Sequence, residues 1–177
     1  RVVTVHREAL QAIVPLAHHE EAGEGIHGLD PHCVGVGHHH LGVQCTRQRV
    51  GDGARTKLVN NLLAGINLVG ASEVLNLAQQ MGLDPGVTLN VIQSSSGQSW
   101  IATDRLRRVF AQDTTVGSHM RLLAKDTRLA MQAAAQVGYS GWLGAQAAKA
   151  FAMACEQGMT DRDDSAMLEF IRMADKT

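Results

Sequence analysis

Gly51-Asp52-Gly53-Ala54-Arg55-Thr56-Lys57-Leu58-Val59-Asn60-Asn61 is the stretch whose residue types could do chemistry. A flexible glycine loop leads into a long apolar-periodic segment. Free backbone N–H groups and the positive end of a helix dipole are expected at that junction. Lys57 falls in the first turn or so, where acidic residues are normally favoured. The same field disfavours the charged ammonium, and a lysine that releases its proton near neutral pH suits general acid/base catalysis. Asn61 lies four residues on, on the same helical face. Its amide could hold a substrate carboxylate or hydroxyl beside the lysine. The spacing alone fits equally a solvated surface lysine followed by two tolerated asparagines, which are mediocre helix formers.

The elements that must position these groups read as helices. Leu58, Leu62, Ile66, Val69, Val74, Leu75, Ala78 and Met81 recur at helical spacing, predicting one long helix over about 55–81 with Gly82 as its C-cap. Asp84-Pro85 supplies an N-cap carboxylate and a proline at the first helical position of a second helix. Ser99 can cap a third, with Trp100, Ile101, Leu106, Val109 and Phe110 on its apolar side. Met120 to Val137 and Ala145 to Gln157 give two more, ended by Gly138 and Gly158, and Asp163 or Asp164 starts a last one. No strand pattern appears. The expected fold is mainly α: a multi-helix bundle opened by the long helix and preceded by an irregular N-terminal segment.

Composition supports helices and narrows the partners. Aromatics make up 3 % of the 177 residues, so the core must come from Leu, Val, Ile, Ala and Met. A net charge of −1 gives no electrostatic case for nucleic acid or an anionic membrane. No apolar run approaches the ~18 residues needed to span a bilayer. Cys33, Cys45 and Cys155 form no CxxC pair, and the first residues lack a signal-peptide layout, so a reducing, cytoplasmic setting is expected.

The Lys57 stretch resembles the GxGxxxKxxNN signature of the β-hydroxyacid dehydrogenases, the group that includes 3-hydroxyisobutyrate dehydrogenase. Further motifs keep the family's order and spacing. Ser72-Glu73-Val74-Leu75-Asn76-Leu77-Ala78 resembles SEALxLA, and Gly82-Leu83-Asp84 resembles GLD. Ser95-Ser96-Gly97-Gln98-Ser99-Trp100 resembles SSGxSW. Lys125-Asp126-Thr127-Arg128-Leu129-Ala130 resembles KDLxLA, and Asp163-Asp164-Ser165-Ala166 resembles the DxSA near the family's end. The resemblance covers essentially all of 51–177 and implies the all-helical C-terminal domain of an NAD- or NADP-dependent enzyme. Its substrate would be a small 3-hydroxy acid or semialdehyde.

The resemblance also implies roles. Lys57 would be the general acid/base, Asn61 would position the substrate, and Lys125 would contact the cofactor, with Asp126 structural. Lys125-Asp126 could equally be an exposed surface pair of little energetic weight. Asn60 stands where the related 6-phosphogluconate dehydrogenases carry histidine, and Lys57 is usually absent from imine reductases. Many relatives have a phenylalanine bordering the substrate pocket where this chain has Ser118, so an altered pocket is expected. A homodimer or tetramer through the helical domain is implied; a non-catalytic helical oligomerisation module is the alternative. No metal is called for.

The GxGxxG turn of a Rossmann domain is not found, so the main cofactor-binding domain is expected to be missing and this chain inactive alone. Residues 1–50 carry eight of the nine histidines and none of the lysines. Three explanations are open: a displaced reading frame or artefact, which the abrupt change favours; a divergent native appendage; or a metal site from His38, His39 and His40 with Cys33 and Cys45, which lack zinc-site spacing.

Overall fold

A computed structural model describes residues 52–175. The expectations for residues 1–50, the metal alternative included, lie outside the described residues. Compactness divides the chain between Arg55 and Thr56. Of the first unit only the turn Asp52–Arg55 is described, in which Arg55 lies 3.4 Å from the Asp52 carboxylate.

The elements are α1 (Asp52–Gln80), α2 (Pro85–Gln93), α3 (Trp100–Phe110), α4 (Met120–Gln136), α5 (Trp142–Ala154) and α6 (Met167–Ala174). A π turn, Cys155–Met159, extends α5, and a 3-10 turn, Asp164–Ala166, precedes α6. The described residues contain no strand, only an isolated antiparallel bridge between His119 and Asp163. The mainly α expectation holds. The caps fall where their chemistry predicts: Asp84 accepts from the Val87 N–H at 2.7 Å, and Ser99 accepts from the Ala102 N–H at 3.3 Å. Gly138 and Gly158 take φ of 71° and 84°, the left-handed geometry that ends a helical run.

Two expectations for α1 change. The helix already includes Asp52 and Gly53, so the expected loop is helical there, with an acidic residue in its first turn. Of the predicted apolar stripe, Leu75 and Ala78 are buried, but the rest of it is not the buried face. Gly65, Leu68, Ser72, Leu75 and Ala78 are buried, whereas Val74 and Met81 are exposed. α1 is apolar on more than one side, so periodicity alone does not select the face; the small Gly65 and Ser72 let neighbours approach. A Cβ on Gly65 would sit 2.6 Å from Thr127 Cγ2 and 3.2 Å from the Phe151 ring. That close crossing brings α1 against α4 and α5. Charge is so sparse along α1 that an 18-residue window reaches a mean hydropathy of 1.3, enough by length and composition to cross a bilayer. The expectation that no apolar stretch is long enough is corrected here: asparagine, serine and glutamine interrupt α1, but between Leu58 and Gln80 only Glu73 is charged. The face bearing Leu68 and Leu75 is nevertheless spent on the protein core.

The core gathers Leu68, Leu75, Leu106, Met120, Phe151 and Met167, each with no exposed surface. Beside it, residues 117–121 are tied to 160–165. Met120 donates its N–H to the Arg162 carbonyl at 2.8 Å, and Asp164 donates to the Ser118 carbonyl at 2.8 Å. The Asp163 carboxylate accepts from the Gly117, Ser118 and Ser165 N–H groups at 2.7, 3.2 and 3.0 Å, and from Arg108 at 3.1 Å. Burial pushes this carboxyl up, but those hydrogen bonds outweigh it and bring it from 3.8 to about 2.

A depressed folded value means the stabilisation is full above the unfolded value, near 4, and is lost as the pH falls towards 2. Asp163→Asn should therefore be less stable than the parent by roughly 2 kcal/mol at pH 7, at about 1.4 kcal/mol per pK unit. The gap should close between about pH 4 and 2. Urea unfolding of both proteins across that range checks it; a gap that is absent, or constant with pH, contradicts it. Asp164 works in the opposite sense. Burial raises it to about 6 against the pull of Arg105, so between about 4 and 6 its contribution grows as the pH falls.

Candidate active site

Lys57 is the sixth residue of α1, about 7.5 Å along the axis from Asp52 at 1.5 Å per residue. The field of the helix end falls off within the first turn, so the dipole rationale for its chemistry is weaker than the sequence suggested. Lys57 is exposed and forms no ion pair or hydrogen bond with a described residue. Its side chain is free to meet a ligand.

Asn61 is half-buried one turn further along, and there the structure adds what spacing could not. Its Nδ2 donates to Asp126 Oδ2 across the α1–α4 crossing at 2.7 Å. The other oxygen of Asp126 lies 3.1 Å from Lys125 Nζ. An ionised carboxylate only accepts, so it fixes which end of the Asn61 amide faces it. The Asn61 Oδ1 then points away and accepts from Asn60 Nδ2 at 3.3 Å. Asn61 keeps one N–H for a ligand. The closeness of Gly65 to Thr127, one residue past Asp126, sets this register.

Asp126 is thus the anchor of Asn61, a more specific role than the general structural one expected. Its sequence signal is its place beside Lys125 in the KDLxLA-like motif. Asp126→Ala should cost about 1.5–3 kcal/mol, the usual worth of a hydrogen bond to a charged group, and should leave the Asn61 amide free to flip. Thermal unfolding, with the Asn61 side-chain amide resonances followed by NMR, checks both outcomes; an unchanged Asn61 environment would refute the anchoring.

Lys125 stands half-exposed at the rim of an open groove of about 670 Å³ between α4 and α5. Arg128 and Gln132 follow it along α4, and the rest of the lining is Ala, Met and Cys155, without a carboxylate. Lys125 and Arg128 give this groove positive character over an apolar floor. No motif or spacing in the sequence singles out Arg128.

Ser118, where an altered pocket was expected, is half-buried, and its backbone is held by the Asp163 carboxylate and the Asp164 N–H. Among the described residues no group of three His, Cys, Asp or Glu could hold a metal ion.

Lys57 and Asn61 thus lie on α1, Asn61 is tied to Asp126 of α4, and Lys125 and Arg128 line the neighbouring groove. Residues 51–171 match the family profile described as NAD-binding of NADP-dependent 3-hydroxyisobutyrate dehydrogenase. The chain belongs to this 3-hydroxyisobutyrate dehydrogenase family, whose members are NAD(P)-dependent oxidoreductases. Among curated relatives, the mitochondrial 3-hydroxyisobutyrate dehydrogenase of Bos taurus is 33 % identical over 131 residues, covering 70 % of this chain and 39 % of the relative. L-threonate dehydrogenase of Cupriavidus necator is 32 % identical over 119 residues, covering 67 % and 40 %. The crystal structure of a 3-hydroxyisobutyrate dehydrogenase from Salmonella typhimurium superposes with a TM-score of 0.65 at 29 % identity, covering 67 % of this chain and 42 % of that one. The chain spans about two fifths of the length of the curated relatives it matches.

Proposed function

We propose that residues 51–177 form the substrate-binding and catalytic-lysine domain of an NAD(P)-dependent oxidoreductase acting on a small 3-hydroxy acid or semialdehyde. The supporting observation is the Asn61–Asp126–Lys125 connection at 2.7 and 3.1 Å, which joins the expected substrate and cofactor residues through one carboxylate. When bound, the dinucleotide would exchange the hydride with the carbon bearing the oxygen. Lys57 Nζ takes the hydroxyl proton as the alcohol is oxidised and returns it on reduction. Asn61 orients the substrate, with its amide aimed by Asp126. Lys125 holds the dinucleotide at the groove, and Arg128 one turn on stands ready for a phosphate oxygen.

The 177 residues alone are proposed to turn over negligibly, because Lys57 and the groove supply one side of a site whose dinucleotide-binding half would be separate. Self-association through the helical part belongs to the same proposal, as does a reducing, cytoplasmic setting for the three thiols. A chimera in which residues 51–177 replace the corresponding part of a curated relative tests it. Oxidation of 3-hydroxyisobutyrate or L-threonate with NAD+ or NADP+, followed at 340 nm, is the expected result. A folded chimera without activity on any small hydroxy acid would favour the non-catalytic oligomerisation module instead.

A further inference from the structure

His119 is a polar group outside the set of Lys57, Asn61 and Lys125. It is the N-cap of α4 and is half-buried. Its ring Nδ1 lies 2.9 Å from the Asp161 carbonyl oxygen. A carbonyl only accepts, so Nδ1 carries a proton, and Nε2 of the neutral ring is left as an acceptor. No described residue bonds to Nε2. The Asp161 carboxylate is taken by Arg121 and does not compete for the ring. The backbone under the ring is held on both sides. Asp164 donates its N–H to the Ser118 carbonyl and Met120 donates to the Arg162 carbonyl, each at 2.8 Å. The ring is therefore aimed before any ligand arrives, and little freedom is lost when one binds.

Helical register places that ring on the wall of the site. Lys57 and Asn61 share one flank of α1, and Asn61 is bonded to Asp126. Leu62, about 100° further round the helix, shares a hollow with Met131 and Gly144 instead. α4 runs from Met120 to Gln136, so the flank with Lys57 and Asn61 looks towards its N-terminal half. On that half His119 and Asp126 are seven residues apart and project on the same side. Leu122 lies between them, half-buried and apolar.

The corner so formed has a length. Seven residues of helix span about 10 Å at 1.5 Å per residue. An acid of four carbons, roughly 5 Å from carboxylate to terminal hydroxyl, crosses that span with a hydrogen bond of about 2.8 Å at each end. A three-carbon acid that ends in a methyl group does not reach the ring and has no proton to give it. A carboxylate at the far end would offer the ring only a second acceptor.

We propose that His119 Nε2 accepts a hydrogen bond from a hydroxyl at the far end of the substrate, so that the site selects a polyhydroxy acid over an acid with an alkyl end. This rests on the functional reading above and narrows its substrate class. A site with an acceptor in place favours the substrate that carries the matching hydroxyl. His119 is thus a specificity-determining residue, and the proton chemistry stays with Lys57.

The chimera carrying residues 51–177 tests this, with kcat and KM measured separately for L-threonate and 3-hydroxyisobutyrate. His119→Leu should raise KM for L-threonate on the order of tenfold, the worth of one hydrogen bond. Its kcat for L-threonate and both constants for 3-hydroxyisobutyrate should stay within about twofold, well below that one hydrogen bond. Retained activity on 3-hydroxyisobutyrate also shows that the variant folds. In the full chain of 177 residues, nitrogen NMR of the neutral His119 ring should find the proton on Nδ1. A loss equal for the two acids overturns the proposal. So does a His119→Leu variant indifferent to both, or a neutral ring protonated on Nε2. A folded chimera inactive on every small hydroxy acid is a different failure: it removes the functional reading and this substrate class with it.

Discussion

Lys57→Met in the active chimera is expected to lower kcat/KM by about 100- to 10,000-fold, the span that positioned general acid/base groups contribute. The drop should fall mainly in kcat, because the proton moves in the transition state and the ground-state hold on the substrate lies with Asn61. Folding should be unaffected. Lys57 is exposed and makes no described contact, and substitutions at such positions usually change stability by less than about 0.5 kcal/mol. That separation makes the test clean: melting temperature unchanged, dinucleotide binding unchanged, turnover gone. Lys57→Arg should also be severely impaired, because a guanidinium does not release its proton in the working range. Substantial turnover in the methionine variant would mean that another group handles the proton.

Asp164→Ala is expected to destabilise the domain more than either Asp163→Asn or Asp126→Ala. Asp164 is 1 % exposed and its Oδ1 lies 2.6 Å from Nε of Arg105, itself 8 % exposed. Asp104 also reaches this guanidinium, from the more exposed side. Removing Asp164 leaves a buried cation with its outer partner only, a loss usually worth about 3–5 kcal/mol. Tm should fall by on the order of 10 °C or more for a domain of this size. The cause is the uncompensated charge, so Arg105→Met combined with Asp164→Leu should recover much of the loss. Scanning calorimetry of the single and double variants checks both parts. A double variant no better than the single would show that the pair is needed for the connection between residues 117–121 and 160–165, not merely tolerated.

Much of the architecture was legible in the sequence because local chemistry specified it. Asp84 before Pro85, Ser99 before Trp100 and the glycines at 138 and 158 are short-range signals, and each helix boundary they mark depends on a few neighbouring residues. The start of α1 falls three residues earlier than expected because Gly51-Asp52-Gly53 has loop composition, yet Asp52 suits the first turn of a helix. Leu75 and Ala78 were in the predicted stripe, but the rest of the buried face of α1 escaped for a different reason. When both sides of a helix are apolar, hydrophobic spacing cannot say which side meets the core; Gly65 and Ser72, which carry little hydrophobic signal, mark it by their small size.

The site divides in the same way. The sequence by itself determined that Lys57 and Asn61 share one face of a long helix, since four residues make about one helical turn wherever the chain is helical. The motifs in register also identified the family. It could not determine what Asn61 bonds to, because Asp126 is 65 residues away and reaches it only through the close crossing at Gly65. Nor could it show that the Ser118 backbone is tied to Asp163 and Asp164, or that Asp164 shares a buried pair with Arg105. Those partnerships depend on distances between helices, and such distances are set by the packing of side chains far apart in the sequence. Only the tertiary structure decides them.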